Sequence, residues 1–289
     1  MTSIQTAISQ VQGTVGVAAK HLKTGREIRH NADTVFFTAS TLKVPLLVEL
    51  YRQVDQGIID LNERIELTDS LRVPGSGVLK ELSNGLRPTR YDLAMLMIII
   101  SDNAATDYLY DLVGRDNINK TMQQLGLAQT HIPMTCRELL YSITGLDTKE
   151  PSHTYHLASD RLLHQQFVLE ADGFSEEKSD VSSPSDMCRL LELTYKGDML
   201  SPSSREAVLH ILKRQQLNTV IPHALPPGTE VAHKTGSYYA VRCDVGIVFS
   251  PTGPYTVAIM AKQLAGDRLS IDASLAAVSK AVYDEFARQ

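Results

Sequence analysis

Thr38-Ala39-Ser40-Thr41-Leu42-Lys43-Val44-Pro45-Leu46-Leu47 opens an apolar run that continues to Gln56 and stops at Gly57. Leu42, Leu46, Leu47 and Leu50 recur at helical spacing, so residues 38–56 are predicted to form a buried helix. Pro45 falls in its early turns, where it either kinks the helix or marks an irregular start. Ser40 and Lys43 are three residues apart on this helix and so project to one face about one turn apart. A serine hydroxyl is a weak nucleophile at neutral pH and needs a base beside it. A lysine amine can be that base if burial and nearby positive charge lower its pKa, and Lys234 is a candidate source of the charge. An isolated S-x-x-K pair is a weak signal, so the reading needs support from elsewhere in the chain.

Two further clusters supply it. Ser101-Asp102-Asn103 follows the apolar run Leu93 to Ile100, which opens at Thr89-x-x-Asp92, a capping-box pattern. Taken alone, that triplet reads as a helix N-cap. Lys234-Thr235-Gly236 lies in a β-rich stretch, 229–239, followed by two more at 241–249 and 255–262. Near the other end, Thr14 to His21 and Glu27 to His30 read as strands of a hairpin around Lys23-Thr24-Gly25. Between the two ends lie helical patterns, among them one opening at Arg115-Asp116 with Ile118, Met122 and Leu125 on one face. A terminal helix from about Asp272 turns Leu275, Val278, Val282 and Phe286 inward. The expected fold is α/β of the α+β kind: an antiparallel sheet flanked by helices and built from both termini, with an inserted all-helical subdomain. The expected division is a sheet part at about 1–37 and 205–289 and a helical part at about 38–204, within one domain.

In their order and contexts the three clusters resemble the class A branch of the penicillin-recognising serine hydrolases, which includes β-lactamases and DD-peptidases. The resemblance runs from about residue 14 to the C-terminus. It implies a cleft between the sheet and an all-helical lobe, with Ser40 as the acylated nucleophile and Lys43 as its activating partner. It further implies that Ser101 relays a proton to the leaving nitrogen, while the Asn103 amide bonds the substrate's side-chain amide. Asp102 is expected to stabilise the turn. Lys234 and Thr235 would hold a carboxylate, and Gly236 would let the substrate backbone approach. The backbone N–H groups of Ser40 and Ser237 would form the oxyanion hole. Arg242 is a candidate second carboxylate anchor, although its spacing favours a structural pair with Asp244 or another carboxylate.

One region departs from the family pattern. Lys234 follows Ser101 by 133 residues, an excess of roughly thirty over the family's usual separation, and it falls mostly in an atypical insertion at about 145–182. Class A β-lactamases carry E-x-x-L-N here, whose glutamate activates the water that hydrolyses the acyl-enzyme; this chain has no such motif. Glu138, in Arg137-Glu138-Leu139-Leu140, falls nearest the expected distance, and Glu150 is a second candidate. The run Cys136 to Tyr141 also reads as an ordinary amphipathic helix, and slow deacylation is the expectation if neither glutamate serves. His153-x-x-His156 has a spacing that a metal could use, but the polar surroundings favour a solvated lid beside the crevice. Glu170 to Asp180, acidic and glycine-containing, is expected to be an exposed mobile loop.

At 289 residues the chain can bury a sizeable core, and its 43% apolar and 21% charged residues are ordinary for a globular protein. A net charge of −5 offers no basic face for nucleic acid. The longest apolar run, eight residues at Leu93 to Ile100, is far short of the roughly 20 that span a membrane. Cys136, Cys188 and Cys243 lie far apart and are expected to be reduced and buried. No signal-peptide pattern is visible at Met1 to Lys20, which favours a cytoplasmic protein. The expected activity is cleavage of a small-molecule amide, a β-lactam or a related carboxylate-bearing substrate or peptide, through acyl-Ser40, with no cofactor, metal, nucleic acid or membrane. The rivals are a DD-peptidase or intracellular amidase or esterase with poor β-lactam turnover, and a sensor acylated once.

Overall fold

A computed structural model describes residues 3–287. The chain begins with α1 (Ser3–Ser9) and a hairpin of β1 (Thr14–His21) and β2 (Glu27–His30), bounded as the sequence predicts. β3 (Phe36–Phe37) leads through a 3₁₀ turn, Ala39–Leu42, into α2 (Lys43–Asp55). Then come α3 (Arg90–Ile99), α4 (Asn103–Val113), α5 (Arg115–Gln124), α6 (Cys136–Ile143) and α7 (Tyr155–Leu163). A two-residue strand, β4 (Val181–Ser182), precedes α8 (Pro184–Lys196) and α9 (Pro202–Leu212). The chain closes with β5 (Glu230–Tyr238), β6 (Val241–Ser250), β7 (Gly253–Lys262) and α10 (Arg268–Ala287).

The five long strands form one antiparallel sheet in the order β2-β1-β7-β6-β5. Thr14 to His21 pair with Tyr255 to Lys262, so the N-terminal hairpin is joined directly to the C-terminal meander. Helices cover both faces, and the strands show it by alternation. On β7, Tyr255, Val257, Ile259 and Ala261 enter a core with α1 and α10, while Ala258 and Met260 face the core shared with α2, α4 and α8. β1 divides the same way, with Val15, Val17 and Ala19 outward and Ala18 inward. Cys188 Sγ donates to the Ala18 carbonyl from α8, at 3.0 Å, and all three cysteines are free and buried.

Several expectations need correction. Of the two expectations for Pro45, the irregular start is found and the kink is not. The segment starts as a 3₁₀ turn, and Pro45 is the third residue of α2, within the first turn where N–H groups have no intrahelical acceptor. α10 starts at Arg268, four residues before the expected Asp272.

The insertion is tied down at both ends, while Glu170, Asp172, Glu176, Glu177 and Lys178 are exposed as expected. Ser179 and Asp180 are buried. Asp180 accepts the Met134 N–H at 2.9 Å through its side chain and the Thr38 N–H at 2.9 Å through its carbonyl. β4 pairs with β3, and Val181 exchanges backbone hydrogen bonds with His131. Val168 N–H donates to Ile143 and Arg161 to the Thr144 carbonyl, fastening the other end to α6. His153 accepts the Asp147 N–H at 2.9 Å, and among the described residues no three metal-binding side chains converge.

The helix that delivers Ser101 has the capping box read from the sequence. Thr89 Oγ1 accepts the Asp92 N–H at 3.1 Å, and Asp92 Oδ2 accepts the Thr89 N–H at 2.8 Å. Thr89→Ala is expected to lower stability by about 1 kcal/mol. The check is a urea titration in which the midpoint falls and the slope is unchanged.

Candidate active site

Ser40 lies on the 3₁₀ turn and Lys43 is the first residue of α2. A 3₁₀ turn has three residues per turn, so side chains at i and i+3 eclipse. The local geometry therefore stacks Ser40 and Lys43 more directly than the expected α-helix would. The turn is held by Thr38, whose carbonyl accepts the Thr41 N–H at 3.0 Å and the Thr41 hydroxyl at 2.7 Å. Ala39 has φ +44°, a left-handed conformation that a non-glycine residue holds only when its surroundings impose it.

Lys43 is completely buried. Its Nζ contacts the Ser101 carbonyl at 2.8 Å, Ser101 Oγ at 2.9 Å and Asn103 Oδ1 at 2.9 Å. Burial pushes its pKa down, against the pull of Cys136, Asp102 and Asp107. A neutral amine fits the same three contacts: two N–H groups donate to the carbonyl and the amide oxygen, and its lone pair accepts the Ser101 hydroxyl proton. Ser101 presents its carbonyl and hydroxyl together because it sits at φ +61°, the second strained non-glycine residue of the cleft.

The Ser101-Asp102-Asn103 turn is fixed from behind by the loop at 74–79. Asp102 is the N-cap of α4, accepting the Ala105 N–H at 3.0 Å, and its other oxygen accepts the N–H groups of Val78 at 2.7 Å and Leu79 at 2.9 Å. Asp102 thus stabilises the turn, and the N-cap reading of the triplet holds. One Asn103 amide hydrogen goes to the Pro74 carbonyl at 2.9 Å; the other is left for a ligand, and Asn103 lines the cleft.

β5 brings Lys234, Thr235, Gly236 and Ser237 to the same place. Lys234 is completely buried and donates to the Thr235 carbonyl at 2.6 Å. Burial and the charge of Lys43 push its pKa well down. Gly236 has a structural reason of its own. A Cβ there would lie 2.7 Å from the Thr38 carbonyl oxygen and 2.9 Å from Ser40 N. The missing side chain makes room for the backbone of Ser40. Arg242, directly opposite Ser237 across the sheet, is buried and engaged. It donates to both carboxylate oxygens of Asp272, at 2.5 and 2.9 Å, and to Thr219 Oγ1 at 2.7 Å. Its partner is thus Asp272; Asp244 instead meets His233 Nδ1 at 2.8 Å and accepts the Ile221 N–H. Arg268, which sequence reading did not single out, also lines the cleft, and among the described residues it forms no ion pair.

Ser40, Asn103, Ser237, Arg242 and Arg268 line one cavity of about 620 Å³, while Lys43, Ser101, Lys234 and Thr235 are buried and do not line it. The sequence model of the β-lactamase enzyme family matches residues 1–286. The chain belongs to the β-lactamase enzyme family. It is 24% identical over 262 residues to β-lactamase VEB-1 of Pseudomonas aeruginosa, covering 86% of this chain and 77% of that protein. Among solved structures it is similar to a β-lactamase of Sphaerobacter thermophilus, at 29% identity and a TM-score of 0.80, covering 98% of this chain and 95% of that one. PBP-A is similar at 28% identity and a TM-score of 0.80, covering 99% and 96%, and a point mutant of it is known as an acyl-enzyme complex with penicillin G.

Within this β-lactamase fold the two candidate water-activating glutamates stand apart from the cluster. Glu138 is the third residue of α6, where its carboxylate accepts the Thr135 N–H at 2.8 Å and pairs with Arg115 at 2.6 Å. It belongs to a capping box and does not line the cavity. Glu150 is exposed in the loop before α7 and bonds Ser152. The α6 residues that do line the cavity are Cys136, Leu139, Leu140 and Ile143. Aligning the leucine of E-x-x-L-N with Leu139 puts Cys136 at the glutamate and Leu140 at the asparagine. That register was the available signal, and a search for carboxylates passes over it. Burial pushes the Cys136 thiol up, with Lys43 pulling it back. Behind it, Asp107 accepts the N–H groups of Cys136 at 2.7 Å and Arg137 at 2.9 Å, and burial raises its carboxyl to about 6.

Because Gly236 abuts the Ser40 amide, Gly236→Ala should disable acylation while the protein stays folded. The expected loss is about 100-fold or more in the rate of Ser40 modification, the scale of one displaced oxyanion donor, with an unchanged far-ultraviolet circular dichroism spectrum.

Proposed function

We propose that this protein hydrolyses β-lactam amides through an ester to Ser40, with breakdown of that ester as the slow step. The observation that carries the reading is the buried Lys43 amine, bonded to Ser101 and Asn103 one 3₁₀ turn from Ser40. Ser40 Oγ attacks the lactam carbonyl carbon as Lys43 takes its proton. Ser101 passes a proton from Lys43 to the lactam nitrogen, the C–N bond breaks, and the ester remains. The developing oxyanion would be met by the N–H groups of Ser40 and Ser237. Thr235 Oγ1, the Ser237 hydroxyl and the free guanidinium of Arg268 suit a substrate carboxylate. Arg242 lines the same cavity but is paired with Asp272. Water then has to cleave the ester.

The cavity face of α6 offers no carboxylate for that second step. A thiol with a raised pKa stays protonated at neutral pH and accepts protons poorly. Leu139 and Leu140 extend the same dry surface. Acylation is therefore well supported by neighbouring groups and deacylation is not.

The test is incubation with benzylpenicillin and a chromogenic cephalosporin, following product by absorbance and the Ser40 adduct by intact mass. The expected result is one rapid equivalent of product, a long-lived adduct and slow steady turnover. An adduct that forms equally on Ser40→Ala would contradict the nucleophile assignment. Cys136→Glu should shorten the adduct lifetime by about 10-fold or more, within the usual range for a positioned general base.

A further inference from the structure

Beneath the strand that carries Thr235 lies a buried pair of ionisable groups that the proposed chemistry leaves unused. His233 Nδ1 lies 2.8 Å from Asp244 Oδ1, and both side chains are buried. β5 and β6 turn Val231 and Val248 toward α10, so by alternation His233, Thr235, Arg242 and Asp244 share that face. Gly246 is the cross-strand partner of His233, and a Cβ there would lie 2.5 Å from that of His233. The imidazole is thus seated where its partner has no side chain.

Asp244 is the direct cross-strand partner of Thr235, and opposed residues carry Cβ atoms about 5 Å apart on one face. A carboxylate therefore lies next to the hydroxyl that suits the carboxylate of a substrate. Left uncompensated, its charge would oppose that anion. Asp244 Oδ2 accepts the Ile221 N–H at 2.9 Å, and Oδ1 meets His233.

The other charges around His233 are engaged elsewhere. Arg242 on β6 is paired with Asp272 of α10, and Lys213, just past α9, is paired with Glu230 at the start of β5. Lys234 belongs to the opposite face of β5, and His223, in the segment before that strand, is exposed. The second ring nitrogen of His233, Nε2, lies 3.0 Å from Asn218 Oδ1. With an oxygen acceptor at each nitrogen, the form of the ring that donates to both is the imidazolium. We propose that His233 is a specificity-determining residue: as an imidazolium it cancels the charge of Asp244 beside Thr235 and so admits a carboxylate-bearing substrate. It touches no substrate and acts through Asp244. This rests on the proposed acylation of Ser40 and adds what makes this part of the sheet fit for an anion.

Benzylpenicillin and its methyl ester, which differ by one charge, test the role. The second-order rate of Ser40 adduct formation, read by intact mass, should favour the acid. His233→Gln keeps an N–H for Asp244 but removes the charge. It should lower the acid's rate by about 10-fold or more and leave the ester's within about 2-fold, since only the acid meets the exposed charge. Adding Asp244→Asn should restore the acid's advantage; a merely structural defect would slow both compounds and would not be repaired. Nitrogen NMR of the histidine-labelled, unaltered protein at neutral pH should show both His233 nitrogens protonated. Its signals are those displaced by Asn218→Ala, a change at an exposed residue, so this arm stands even if His233→Gln fails to fold. A His233 ring with one N–H, or an acid-to-ester ratio unmoved in folded His233→Gln, would overturn the role of His233 alone. Equal rates for acid and ester in the unaltered protein would overturn the carboxylate preference and this role with it. No adduct with either compound would overturn the acylation reading itself.

Discussion

Lys43 has no access to water, and the three parts of the cleft are arranged around its amine. An isolated ammonium in such a place carries a desolvation penalty of several kcal/mol. Losing the proton removes most of that penalty, and hydrogen bonds to Ser101 and Asn103 satisfy the polar atoms that remain. Lys234 is equally buried, and its pKa is pushed well down by burial first and then by Lys43. The backbone is strained at two places to make this possible: Ala39 before the nucleophile and Ser101 across from it. Thr38, held by Asp180, and Asp102, held by Val78 and Leu79, keep those conformations in place.

Much of this was legible in the chain because it is written in short-range patterns. The Lys23-Thr24-Gly25 turn marked Thr14 to His21 and Glu27 to His30 as the strands of a hairpin, because a turn signal is local. Thr89 and Asp92 announced the start of α3 because a capping box is local chemistry. The clustering of Ser40, Ser101 and Lys234 was readable only as a set of motifs, and residue type carried their proximity. What stayed hidden depends on contacts between distant segments. Gly236 is a glycine because the Ser40 backbone crosses it, and nothing near residue 236 reports that. Arg242 faces Asp272 because α10 returns over the sheet. α1 is too short for its periodicity to stand out, and its place comes from packing on α10. The insertion reads as polar and loose because few of its fixing contacts are apolar runs; backbone hydrogen bonds and the packing of Phe167 and Phe174 hold it.

The two halves of the proposed reaction have unequal support from the fold. Groups that serve acylation come from α2, the turn before α4, and β5, three elements locked together by close backbone approach. The group facing the ester from α6 is a protonated thiol backed by leucines. Asp107, the nearest carboxyl behind it, is engaged with the N–H groups of Cys136 and Arg137. A carboxyl on the helix axis steadies α6 but leaves its cavity face apolar.

The central claim is that Lys43 is the base that takes the Ser40 proton, its amine made readier to lose its own proton by burial. Its folded pKa is lowered, so the amine gains its proton only as the pH falls below that value, and acylation should fade with it. An NMR titration of the Lys43 side-chain resonances, assigned by comparison with Lys43→Arg, reads this directly. The account predicts a midpoint below the ordinary lysine value of about 10.4, with acylation falling as the pH drops through that midpoint. A midpoint at or above that value, with Ser40 still acylated at neutral pH, would contradict it.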